Sequence, residues 1–151
     1  MKPAISGLHP VAEDDFASVE RSLGVTITTA LRAVVRGVNG GSPSPRDVPC
    51  AVYSGETHVP VYEFARWDDP AEYARLCRVY HDEIGVPRRY LVFASADADT
   101  FFVDVEHPLL RVMYFQYVEG GYESNYGDGE MDCAGDSLES FMSSFFDSHV
   151  E

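Results

Sequence analysis

An α+β fold, with a pair of N-terminal helices and one C-terminal helix packed on an antiparallel sheet, is what this 151-residue sequence predicts. Three observations predict it. Two amphipathic helical stripes precede residue 40, three strand-like segments cluster between residues 90 and 118, and a further helical stripe follows residue 136. Helices and strands segregated in this way build a helical layer on one antiparallel sheet. The length suits a single domain over residues 1–151. With 45% apolar residues, nine Phe, nine Tyr and one Trp, such a chain can bury a core large enough to fold without disulfides or a metal.

The first helix spans Val11 to Leu23, with Phe16, Val19 and Leu23 at i, i+3 and i+7. Its first turn holds Glu13, Asp14 and Asp15, where the helix dipole favours acids, and Gly24 ends it. The second helix spans Thr29 to Val38, with Leu31, Val34, Val35 and Val38 on one face and Thr28 or Thr29 as cap. Asn39-Gly40-Gly41 closes it, because Asn and Gly tolerate the left-handed conformation common at helix ends. Ser42 to Pro49 reads as a proline-rich loop, and Ala51 to Tyr53 and Val59 to Phe64 as short strands. Asp68 or Asp69 caps a third helix opening at Pro70. Tyr73, Leu76, Cys77 and Tyr80 share one face of it, and it ends near Gly85-Val86-Pro87.

Tyr90 to Ala94 is a strand, Asp97-Ala98-Asp99 a turn, and Thr100 to Glu106 the returning strand. Along the latter, Phe102, Asp104 and Glu106 alternate with Phe101, Val103 and Val105, a half-buried pattern. Arg111 to Val118 completes the meander. Glu119 to Asp136 reads as a long loop rich in Gly, Asp and Glu, of a length that compact domains keep for a function. Ser137 to His149 is the closing helix, with Leu138, Phe141, Met142, Phe145 and Phe146 as its apolar face.

The net charge of −14 is unevenly placed. Residues 1–90 carry twelve acids and ten bases, whereas residues 91–151 carry thirteen acids and one base, Arg111. Such a chain repels phosphates and anionic lipid, which argues against direct contact with nucleic acid or membrane. It suits a basic protein partner, because opposite charge speeds encounter. Three cysteines at long spacings, Cys50, Cys77 and Cys133, are an odd number and no disulfide framework, which fits a reducing cytoplasm. The N-terminus lacks the apolar stretch of a signal peptide, and the apolar runs fall far short of the roughly 18 residues of a membrane span.

Several motifs invite chemistry and fail on context. Asp97-Ala98-Asp99-Thr100 matches the Asp-x-Asp-x-Thr pattern of metal-dependent phosphatases, where the first Asp is the nucleophile. Those enzymes need a following helix and a later basic residue for the phosphate. Here a strand follows and the only later base is Arg111. Cys77 and His81 lie four apart on a helix, but only Cys50 and His58 are at hand to complete a zinc site, with no supporting spacing. Asp128, Glu130, Asp132 and Asp136 alternate without the glycine and terminal Glu of a calcium loop. No nucleophile elbow or phosphate-cradling glycine loop occurs. The expectation is a protein without catalytic residues, cofactor or metal.

The ordered set of motifs resembles the SUKH superfamily, the Smi/Knr-type proteins. It comprises Leu23-Gly24, Ile27-Thr28 where the family has Leu-Pro, the helix Leu31 to Val38, Asn39-Gly40-Gly41 and Pro43. Val86-Pro87, Leu91 to Ala94, Asp97, Asp99, Phe102 and Asp104 then follow the family's proline, strand, acidic turn and strand, with Ala98 in place of the usual turn glycine. Arg111 to Phe115 and Ser137-Leu138 with Phe141-Met142 resemble the last strand and closing helix. The resemblance implies a cytoplasmic immunity protein that binds and neutralises a cognate toxin, a basic nuclease or another effector. A toxin-free regulatory scaffold of the same superfamily is the alternative, and a metal-dependent hydrolase built on Asp97 and Asp99 a remote one. The candidate partner-binding residues, chosen for the acids and tyrosines of the C-terminal half, are Asp97, Asp99, Glu119, Tyr122, Glu123, Tyr126, Asp128, Glu130 and Asp132. The acids would steer and pair at the rim, and the tyrosines would supply buried contact.

Overall fold

The computed structural model describes residues 1–52, 55–117, 121–127 and 129–149. Its N-terminal helices follow the apolar stripes. Helix α1 (Glu13–Leu23) buries Phe16 and Val19 and ends at Gly24, whose left-handed φ of 67° lets its N–H reach Glu20 O. Helix α2 (Thr29–Val38) starts at Thr28, whose hydroxyl accepts from Leu31 N at 3.3 Å. Charge holds the two together: Arg32 donates to Glu13 at 2.5 Å and to Glu20 at 2.7 Å. Helix α3 (Pro70–Arg78) opens at Asp69, whose carboxylate accepts from Glu72 N. It passes into a π-helical stretch, Val79–Ile84, and stops at Gly85 with φ 90°.

Among the described residues, three antiparallel sheets carry the strands. β1 (Ala4–Ser6) pairs with β2 (Ser42–Ser44), and β3 (Asp47–Pro49) with β4 (His58–Pro60). The main sheet has the order β5 (Glu63–Phe64), β6 (Tyr90–Ala96), β7 (Asp99–Asp104), β8 (Val112–Phe115), β9 (Asp132–Gly135). At the β6–β7 turn Asp97 adopts a left-handed φ of 53°, a conformation Asp tolerates better than most residues. Helix α4 (Gly121–Tyr126) lies between β8 and β9, and α5 (Leu138–Met142) follows β9. The architecture is therefore α+β, with antiparallel sheets and helices, as the residue pattern predicts.

The alternation along β7 is not half-buried. Phe102 and Phe115 meet the ring of Tyr80, at 5.1 and 6.3 Å, beneath the α3 side. Phe101 and Tyr114 point the other way, and Phe101 meets Phe141 of α5 at 5.6 Å. Helical segments cover both faces, so Phe101, Phe102, Val103 and Asp104 are all buried.

Other elements differ from the sequence expectation for local reasons. The expected loop Ser42 to Pro49 contains β2 and β3, because two-stranded edges tolerate Pro43 and Pro49 where no ladder donor is needed. Ala51 and Val52 lie outside any strand, in an irregular extension of the β3–β4 hairpin held by Cys50 N to Thr57 O and Val52 N to Glu56 O; Tyr53 falls outside the described residues. Val59 to Phe64 divides between two sheets, with Val61 N on Arg46 O and Tyr62 N on Ser95 O at the crossing. The expected long loop holds α4 and β9. The expected helix to His149 ends at Met142. There Ser144 Oγ and N both bond Phe141 O, and Phe146 N is drawn to Asp47 O of β3.

Candidate binding surface

The structure sorts the sequence-derived candidates into two groups. The first gathers at the β6–β7 hairpin. Asp97 is exposed in the turn, and Asp99 opens β7. The Asp99 carboxylate accepts from Tyr114 Oη and from Tyr117 N at 2.8 Å, so the fold itself uses it. Tyr114 is the cross-strand neighbour of Asp132, which places Asp132 on the same face. Asp132 Oδ2 is buried with no hydrogen-bond partner among the described residues, and this burial pushes its carboxyl pKa up.

The second group sits on and beside α4. Tyr122 is 7% exposed, its ring nearly parallel to Phe115 at 6.3 Å, and its hydroxyl donates to Gly129 O. Tyr126 packs on Phe115 and accepts from Gln116 N at 2.9 Å. Both rings therefore seat α4 on the sheet, while Glu123 is exposed on the same helix. Glu130 pairs with Arg111 at 3.2 Å. Glu119 and Asp128 lie outside the described residues. Trp67 stacks on Tyr73 at 4.2 Å and is 1% exposed, a core residue.

Two features were not singled out from the sequence. One is Asp104, fully buried at the far end of β7. It accepts from Arg89 Nε at 2.8 Å, Arg111 Nη2 at 3.2 Å and the amides of Glu106 and His107. Burial acts to raise its pKa, but the two arginines outweigh that and hold it below the usual carboxylate range. Its place on the alternating polar side hid its role, since the cations come from distant positions.

The other is a groove of 480 Å³ between α3 and the β5–β6 edge. Val92 and Ala94 line its sheet side, Tyr73, Leu76 and Tyr80 its helix side, and Glu63, Arg66, Asp69 and Glu72 its polar margin. It exists because β5 is only two residues long and leaves part of α3 uncovered. Leu76 belongs to the helical apolar stripe and reads as core, yet it is 36% exposed.

Asn39 positions the segment that leads into α3. It is fully buried, with φ −49°, and the left-handed turn falls to Gly40 at φ 69°. The Asn39-Gly40-Gly41 segment thus closes α2, with Gly40 supplying the left-handed residue. Its side chain donates to His9 O and Asp68 Oδ1, both at 2.9 Å, and accepts from Trp67 N at 2.7 Å. Arg66 crosses Gly40 to reach Asp68 at 2.7 Å; a Cβ on Gly40 would stand 2.8 Å from Arg66 Cγ. Arg66, with Asn39 in support, holds the Asp68 carboxyl down at about 2.

Burial pushes the Cys50 thiol up to about 12 and the Cys77 thiol up to about 11, the opposite of what a nucleophile or metal thiolate needs. Among the described residues no group of three or more His, Cys, Asp or Glu is placed to hold a metal ion, and no helix is long and apolar enough to cross a membrane. The family model described as SMI1 / KNR4 family (SUKH-1) matches residues 10–144. No curated protein sequence matches the chain.

Proposed function

The chain belongs to the SMI1 / KNR4 family (SUKH-1), and from that premise we propose that it is a non-enzymatic, cytoplasmic immunity protein that binds and neutralises a cognate protein toxin with a basic surface. The family match over residues 10–144 carries this reading. Physical support comes from the thirteen acids and single base of residues 91–151. No base among the described residues forms an ion pair with Asp97 or Glu123, both of which are exposed. Carboxylates that the fold leaves unpaired are available to a cationic partner.

In this reading Asp97, Glu119, Glu123 and Asp128 provide steering and rim pairs, while Asp99, Glu130 and Asp132, engaged or partly buried within the fold, add to the negative field that steers the partner. Tyr122 and Tyr126 hold α4 in place and offer only their margins. A basic nuclease fits best, because phosphate-binding surfaces are cationic and an acidic inhibitor competes for them. The protein would contact neither nucleic acid nor membrane itself.

The test is co-expression with any candidate toxin encoded beside its gene, followed by association kinetics across a salt series. Neutralisation is expected, with an association rate that drops by about tenfold or more between low and physiological salt. Glu123→Lys with Glu130→Lys should slow association further. Unprotected cells, or rates indifferent to salt and to charge reversal, would reject the reading.

A further inference from the structure

The groove beside α3 has a shape and a charge pattern that the acidic C-terminal half does not account for. We propose that this groove takes an arginine side chain projecting from the basic protein partner, with the guanidinium against Glu63 and Asp69 and the methylene stem along Leu76 and Tyr80. The proposal rests on the immunity reading for the identity of the partner and goes beyond it in naming what enters and where.

The argument starts with which margin charges are already used. Arg66 stands on the margin, but its guanidinium is engaged by Asp68, through Nε at 3.1 Å and Nη2 at 2.7 Å, and its charge reaches Glu63 and Asp69 only at longer range. Glu72 is engaged by Arg75 at 2.5 Å. Asp69 spends one oxygen on Glu72 N, and neither it nor Glu63 forms an ion pair among the described residues. Phe64 points down to Phe93 and Phe145 at 5.5 and 6.3 Å. Alternation along β5 therefore turns Glu63 to the opposite face, the side on which α3 lies. Among the described residues the groove thus carries two carboxylates that form no ion pair, and its one lining cation, Arg66, is already paired with Asp68.

Its apolar surfaces fit the same ligand. Leu76 is the exposed large apolar residue of α3, and Val92 and Ala94 line the floor. Tyr80 supplies a ring whose hydroxyl is fixed by Thr100 Oγ1 at 2.7 Å. A long methylene stem covers such surface while its head reaches polar groups. Arginine matches better than lysine, because its planar fork pairs with two carboxylates and stacks on an aromatic ring. The volume of 480 Å³ lies within the range of about 300–1,000 Å³ typical of ligand clefts, so a single side chain with its flanking backbone can be accommodated.

The experiment uses the full chain, labelled with ¹⁵N, and needs no toxin. The probe is the capped tripeptide Ac-Gly-Arg-Gly-NH₂, with the neutral isostere citrulline replacing Arg as control. Saturable amide shifts at Leu76, Ser95 and Thr100 are expected with the arginine peptide and not with the citrulline peptide. Glu63→Gln should weaken the arginine response by about fivefold. Leu76→Arg, which supplies a guanidinium from the chain itself, should block it. Equal shifts from both peptides, shifts elsewhere, or a response unchanged in Glu63→Gln would overturn the proposal. Such a failure leaves the immunity reading to its own neutralisation assay. Failed neutralisation with intact groove shifts would instead reject the immunity reading.

Discussion

The two edges of the main sheet use acids in opposite ways. On the β8–β9 side, where the sequence is most acidic, the fold consumes several carboxylates. Asp104 and Glu130 share Arg111, and Asp99 is held by Tyr114 and Tyr117. On the β5 side, where acids and bases nearly balance, local pairs such as Arg66–Asp68 and Glu72–Arg75 remove the cations and leave Glu63 and Asp69 beside an apolar groove. Net charge therefore misplaces the free charge. What a partner meets depends on which acids the fold has already satisfied.

Removing the support of the β5 side should have the largest effect. Asn39→Ala deletes three hydrogen bonds of a fully buried side chain and leaves Trp67 N without its acceptor. A loss of about 3 kcal/mol in urea unfolding is expected, together with loss of the groove's peptide response. A smaller cost falls on the β9 side. In Gly135→Ala the new methyl would stand 2.7 Å from Phe141 Cβ and 3.1 Å from its Cα, and about 2 kcal/mol of destabilisation is expected from overpacking. If the two losses were equal, the edges would not differ in how much rests on one residue.

The smallest effect has the opposite sign. Asp132 has a carboxyl pKa raised by burial, so its charge opposes folding above that pKa, and the penalty fades as pH falls towards the unfolded value. Asp132→Asn should raise stability at pH 7 by about 0.5 kcal/mol. That advantage should shrink towards pH 4 in thermal melts. A variant less stable than the parent at pH 7 would show that the charge is satisfied in the fold.

Much of the architecture was legible where one physical signal dominated. The stripes Phe16–Val19 and Leu31–Val35–Val38 mark α1 and α2, and Asp69-Pro70 marks the start of α3. Legibility failed where distant contacts decided. Asp104 reads as a solvent-facing residue of an alternating strand until Arg89 and Arg111 are placed on it. Tyr122 and Tyr126 read as surface tyrosines until Phe115 lies beneath them. The acids of the candidate surface could be identified as acids, but not which of them remain unpaired. The groove was not legible because the shortness of β5, not the composition of α3, exposes Leu76.

Because both faces of β7 are sheathed, the amides of Phe101, Phe102 and Val103 can exchange with deuterium only when the whole molecule opens. Their exchange rates would therefore record the global opening free energy. Amides near Leu76 and Ser95 sit under thinner cover and would record local events. One exchange experiment thus separates an altered groove from a weakened protein, residue by residue.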